Sequence, residues 1–314
     1  MTKSKQSTFS GGYAAIFATV LIWSTPSLFQ FYLNRYYDPW AQNFYRYAVA
    51  CVAVIPFAYY RFRRSRGPRF DRGLFVACLI PSLPNVVHQI AQTVALHHMG
   101  PGVFAIFIRS SVIITALLAL FFFPEERWII RQWRFQLGTL LGLLGAVGVL
   151  WFQPGTEGGA ISLQGIAIAF AASFCWALYS VLVKRPSARL GPIRSFGVIS
   201  FITSALLLPL TLAFGTIETP LQAGGRVNII LIISAVTCIS LAHVLYYVAI
   251  RKVGVALSQT LQLICPAGAL GLSAIFFGER LSQPQIWSSG LLLFGAFLAM
   301  RVKAPTDPAA VEEL

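Results

Sequence analysis

The chain has 314 residues, of which 57% are hydrophobic and only 11% charged, and its mean hydropathy is +0.71. A soluble domain carries about 25% charged residues, so too few polar groups are present to cover a water-facing surface, and lipid is the solvent for most of the chain. The net charge of +14 sits in short basic clusters between long apolar runs, which argues against nucleic acid and fits topogenic signals for a bilayer.

Ten apolar segments can be marked, near residues 11–33, 39–60, 73–97, 102–123, 134–152, 161–183, 193–214, 227–249, 255–277 and 285–302. Each has about the 20 residues that a helix needs to cross the hydrocarbon core. The expected fold class is therefore an all-α integral membrane protein of ten transmembrane helices. The first run, after Lys3 and Lys5, is too long for a signal peptide and lacks a small-x-small site before Trp23-Ser24-Thr25-Pro26. It reads as an uncleaved helix.

Polar and aromatic residues inside these segments are the candidate site. The first segment presents Thr19, Trp23 and either Pro26 or Ser27 on one face. Arg46, about a turn and a half into the second, reads as structural. In the third, Pro81 and Pro84 are expected to kink the helix and free carbonyls, and Asn85, His88 and Gln92 follow at i, i+3 and i+7 on one face. His97 and His98, at its outer mouth, receive no role. Arg109 lies in the fourth segment beside Ser110 and Ser111, where burial costs roughly 2.5–3.5 kcal/mol. It can meet a substrate carboxylate, a freed carbonyl, or an edge acid such as Glu126. The sixth segment offers Ser173, Trp176 and Ser180 with Tyr179 adjacent, the eighth His243, Tyr246 and Tyr247, and the ninth Gln259 and Gln262 ahead of Pro266. Trp23 and Trp176 lie mid-helix and suit a cavity wall; Trp128, Trp133, Trp151 and Trp287 lie at helix ends and suit an interfacial belt. The glycine-rich fifth and tenth segments (Gly138 to Gly148; Gly290, Gly295) either buttress the halves or mediate dimerisation, so monomer and homodimer both stay open.

The chain also repeats itself. Gly100 corresponds to Gly254 at a separation of 154, Glu126-Arg127 to Glu279-Arg280 at 153, Trp23 to Trp176 at 153, and His88 to His243 at 155. Residues 1–152 and 153–303 then form two five-helix repeats, followed by a polar tail at 304–314. With the N-terminus inside, the cytoplasmic side receives nineteen Lys and Arg and the opposite side three, with Arg46 and Arg109 inside helices. Both termini are thus expected to be cytoplasmic. Five helices is an odd number, so the second half enters the membrane inverted, the pattern of alternating-access carriers.

Ten helices in a 5+5 inverted repeat, with FFFPEER closing one half and ICPAGALGLSAIFFGERLS the other, resemble the drug/metabolite transporter superfamily, EamA type. The first copy departs from the pattern, carrying FFFPEER in place of FFGER and Arg109 mid-helix. The resemblance implies a metabolite exporter of the inner (plasma) membrane, and among relatives the bacterial exporters of aromatic and other amino acids. Helices 1, 3, 4, 6, 8 and 9 would line the cavity. None of the ten acidic residues falls near the bilayer centre, which points to facilitated efflux first and to proton coupling through His88 or His243 second. No HExxH, Walker, GxSxG or paired-carboxylate motif occurs, and the five cysteines lie in apolar segments without ligand spacing. No enzyme, metal site, cofactor or nucleic-acid partner is expected; the partners are a small-molecule substrate and the bilayer. The rivals are an exporter of drugs or of organic anions that uses Arg46 and Arg109, a passive channel, and, remotely, an integral-membrane enzyme.

Overall fold

The structure, a computed structural model, describes residues 2–64, 71–99, 101–152, 162–277 and 282–302. Gly100, Glu279, Arg280 and the tail at 304–314 lie outside the described residues. Described residues are helical wherever they are regular, because in hydrocarbon every backbone amide must find its partner within its own segment.

The first half contains α1 (Thr2–Trp23), α2 (Pro26–Leu33), α3 (Pro39–Arg64), α4 (Arg72–His98), α5 (Pro101–Ile108), α6 (Ser110–Phe122), the short α7 (Arg127–Arg131) and α8 (Trp133–Trp151). The second contains α9 (Leu163–Leu182), α10 (Lys184–Leu190), α11 (Pro192–Phe214), α12 (Thr219–Ala223), α13 (Gly225–Ser234), α14 (Ala242–Val253), α15 (Val255–Leu261), α16 (Cys265–Phe277) and α17 (Gln283–Met300). Starts follow local chemistry. Asp71 accepts from Leu74 N–H, Ser162 from Gly165 N–H, and Ser282 forms a capping box with Gln285. Seven spans among the described residues are long and apolar enough to cross a membrane: Gly11–Leu33, Arg72–His98, Trp133–Trp151, Leu163–Leu190, Pro192–Phe214, Gly225–Val253 and Val255–Leu272. The other three expected segments are helical but shorter or more polar; α3, for example, carries Gln42, Asn43, Arg46 and three terminal arginines. Trp133, Trp151 and Trp287 are largely exposed at helix ends, as an interfacial belt requires.

Several spans are interrupted. Ser24-Thr25 separates α1 from α2, ahead of Pro26, and Ser24 Oγ donates to the carbonyls of Val20 (2.8 Å) and Cys265 (3.1 Å). Arg109 separates α5 from α6, a 3-10 turn at Gln262–Ile264 separates α15 from α16, and a π-helical stretch, Ala235–Leu241, joins α13 to α14. By contrast α4 continues through Pro81 and Pro84. A π turn shifts the helical register by one residue and is frequent at functional sites; here it lies just before His243.

The halves are interleaved. The most extensive contacts across them join α1 to α14, α4 to α9, α3 to α11 and α8 to α17. The repeat, which matches α1 to α9 and α4 to α14, exchanges the pairs α1–α14 and α4–α9 and maps α3–α11 and α8–α17 each onto itself. The seam between α8 and α17 is made backbone to backbone. A Cβ on Gly138 would stand 2.6 Å from Ala299 N and Gly295 O, and one on Gly295 would overlap the backbone of Gly138 and Gly142. Small residues allow this approach.

At the end of α6 the chain makes a different kind of contact. Glu126 is buried, and its carboxylate accepts from the N–H groups of Val255 (2.9 Å) and Ala256 (3.0 Å) at the start of α15. Lys184 forms an ion pair with Glu126 and a second, at 2.9 Å, with the exposed Glu125. Gly254 enables the turn. Its φ of +90° is a conformation other residues rarely adopt, and a Cβ there would meet the Glu126 carboxylate at 3.0–3.1 Å. A motif residue of one half thus caps a helix of the other.

Candidate functional site

Where α1, α4, α9 and α14 cross, their aromatic side chains meet. Trp23 and Trp176 touch edge to face with ring centroids 5.3 Å apart. Trp23 lies 5.2 Å from His243, and Trp176 lies 5.0 Å from His88. The two Trp–His pairs are related by the sequence repeat and joined at the centre by the Trp–Trp contact. Trp23 Nε1 donates to the Cys238 carbonyl at 2.9 Å, in the π-helical stretch. Each histidine is fixed through Nδ1, His88 on the Ala172 carbonyl (2.9 Å) and His243 on the Ile239 carbonyl (2.8 Å). A carbonyl only accepts, so Nδ1 carries the hydrogen, and in the neutral ring Nε2 is left as an acceptor.

These rings form part of the wall of a cavity of about 150 Å³. Of the residues singled out from sequence, Trp23, His88, Gln92, Arg109, Trp176, His243, Gln259 and Gln262 line it. Three do not. Asn85 is consumed behind the wall by Tyr47 and Thr203, Tyr179 pairs with Tyr247 at 2.6 Å, and Tyr246 is buried behind Trp176, on which it stacks. They brace the wall. The cavity also takes in Gln30, Arg46, Gln89 and Ser111, which sequence reasoning left out or, for Arg46, read as structural. The second apolar segment therefore joins the expected lining helices through that one arginine. Gln30 had a signal: it follows Trp23 by seven residues, on the same helical face.

Arg109 spans the interruption between α5 and α6, and its Nη1 donates to the Gln262 carbonyl at 2.9 Å, in the interruption between α15 and α16. The two residues are 153 apart, the repeat distance. A carbonyl freed where a helix breaks needs a donor, because an unpaired polar group in hydrocarbon costs several kcal/mol. Of the three partners open to Arg109 from sequence, a freed carbonyl is observed among the described residues. Gln92 Nε2 donates to Gln30 Oε1, and Gln259 Nε2 to Ser180 Oγ at 2.7 Å. No acidic side chain lines the cavity, and no cluster of three or more His, Cys, Asp or Glu that could hold a metal exists among the described residues.

Two stretches of the chain, residues 10–151 and 163–301, each match the EamA-like transporter family. An uncharacterized transporter of Haemophilus influenzae is 25% identical over 191 residues, covering 60% of this chain and 62% of that protein. The threonine/homoserine exporter RhtA of Escherichia coli K12 is 28% identical over 197 residues, covering 60% of this chain and 61% of the exporter. The chain therefore spans about three fifths of the length of these two relatives. An uncharacterized transporter of Clostridium kluyveri is 22% identical over 299 residues, covering 91% and 92% of the respective chains. A crystal structure with 20% sequence identity superposes with a TM-score of 0.77 over 96% of this chain and 99% of its own, a likeness of fold.

Proposed function

We propose that this chain, which belongs to the EamA-like transporter family and is a multi-pass membrane transporter, exports small organic metabolites, foremost amino acids with hydrophobic or aromatic side chains. It works by alternating access between two inverted five-helix halves, 1–152 and 153–303, in the inner membrane with both termini cytoplasmic. The separate family match of each half supports the duplication, as do the helix pairings, which the repeat maps onto one another.

The observation that carries the substrate reading is the cavity at the Trp23–Trp176 contact. Its walls are aromatic and apolar, its polar groups are amides, imidazoles and guanidiniums, and its volume is about 150 Å³. Drug-sized ligands occupy pockets of roughly 300–1,000 Å³, so the size favours a small metabolite over a drug. The Escherichia coli relative is a threonine/homoserine exporter, which supports amino acids as the class. Discontinuous helices facing each other at the midplane are where carriers bind substrate.

Purified protein in liposomes is expected to catalyse saturable flux and counterflow of phenylalanine or leucine down an imposed gradient. Truncating Trp176 to alanine removes one face of the site and is expected to raise KM about tenfold, as loss of a buried aromatic contact does at binding sites. No saturable flux of any amino acid under any gradient would sink the reading. Flux that is unchanged across pH and survives His88→Ala would mark facilitated efflux; flux that collapses in His88→Ala and follows the proton gradient would mark proton coupling.

A further inference from the structure

We propose that Arg46 holds the carboxylate of a zwitterionic substrate in this cavity, while Gln259 and His243 accept hydrogen bonds from its ammonium group. The assignment rests on the amino-acid reading above and narrows it to recognition of the α-amino-acid backbone.

Arg46 is 2% exposed, and its Nε donates to Ser234 Oγ at 3.2 Å. Its Nη1 is buried and has no hydrogen-bond partner among the described residues. A guanidinium cannot shed its charge, and no carboxylate among the described residues lines the cavity. A buried, incompletely paired charge is costly, so this site is complete only when an anion arrives. Arg109 is committed differently, with its Nη1 on the Gln262 carbonyl.

Three further residues that line the cavity each hold a buried polar atom without a partner among the described residues: Gln262 Nε2, Gln259 Oε1 and His243 Nε2. Gln262 Nε2 is a second donor for the anion. Gln259 Oε1 is an acceptor, because Gln259 Nε2 already donates to Ser180. His243 Nε2 is an acceptor, because Nδ1 donates to Ile239. Two donors and two acceptors therefore stand unpaired on residues that line one small space. The planar guanidinium suits a carboxylate, and the acceptors suit an ammonium, which also gains from the faces of Trp23 and Trp176. A phosphate ester would answer Arg46 but leave both acceptors unmet. The substrate side chain then meets Leu96, Phe104 and Ile108, which line the same cavity.

The test is counterflow of labelled L-phenylalanine in liposomes holding the full chain, with phenylalaninamide, 3-phenylpropionate and benzyl phosphate as competitors. Each of these should compete at least about tenfold more weakly than phenylalanine, since each lacks one partner of a charge-assisted pair. Arg46→Gln should raise the KM for phenylalanine roughly 10- to 100-fold, with partial recovery in Arg46→Lys. Should Arg46→Gln fail to fold, the competitor series on the unaltered protein decides alone. Phenylalaninamide competing within about twofold of phenylalanine, or an unchanged KM in folded Arg46→Gln, overturns the assignment and leaves the amino-acid reading standing. Benzyl phosphate outcompeting phenylalanine overturns the zwitterion. Complete absence of saturable flux of phenylalanine, leucine or any other amino acid in the unaltered protein overturns both readings.

Discussion

Glu126→Gln is expected to lower the melting temperature of the purified protein in detergent by about 5 °C or more, from a loss of about 2–3 kcal/mol. The carboxylate serves two backbone N–H groups of Val255 and Ala256 and the Lys184 ammonium at once. Glutamine keeps the shape but replaces one accepting oxygen with a donor, which confronts either a backbone N–H or the ammonium. Breaking a fully buried pair costs about 3–5 kcal/mol; the lower figure applies because the Lys184 side chain keeps 17% of its surface exposed. Glu125→Gln is the control. That carboxylate is 58% exposed, and exposed pairs contribute about 0–1 kcal/mol. Equal shifts in the two variants would show that the contact to α15 contributes nothing beyond charge.

Gly295→Val is expected to be the most damaging substitution in the chain, abolishing the monodisperse peak on size-exclusion chromatography. Overpacking a core with methylenes costs about 1–3 kcal/mol even when side chains can yield. At Gly295 the opposing atoms are the backbone of Gly138 and Gly142, which cannot rotate away, so α8 and α17 would have to separate along their whole contact. Gly138→Val should behave the same way from the other side, because Ala299 N and Gly295 O stand 2.6 Å from its Cβ position. Gly290, also on α17, has open space around it, as does Gly271. Alanine at either should be neutral or stabilise the helix by up to roughly 1 kcal/mol. A folded, active Gly295→Val protein would mean that the seam is not required.

Much of this arrangement could be read before any coordinates were at hand. The repeat distance alone paired Trp23 with Trp176 and His88 with His243, and the structure brings the members of both pairs to one place. Helical periodicity identified faces, but a face is not a cavity. Asn85 shares one with His88 and Gln92 yet is covered by Tyr47 and Thr203 from α3 and α11, and nothing in α4 announces that cover. Arg46 reads from sequence as structural for the opposite reason. Its repeat counterpart near Ile199 is apolar, so symmetry offered no second sign, and its partner Ser234 lies 188 residues away. The interruption between α15 and α16 is marked by Pro266, which lacks the N–H that would reach the Gln262 carbonyl, but nothing near it announces that Arg109, 153 residues away, supplies the donor instead. The partners of Glu126 are likewise 129 and 130 residues distant.

The bond from Arg109 to the Gln262 carbonyl also bears on how the protein rests. Two identical halves exchanging roles would pass between end states of equal free energy, with occupancy divided evenly. Here one copy carries arginine where the other carries glutamine, and the guanidinium crosses the centre in one direction. In the proposed cycle the two end states are therefore inequivalent, and the empty carrier has a preferred orientation that a concentration gradient must work with or against. In that cycle duplication would make the two end states alike, and divergence at this pair of positions would favour one of them.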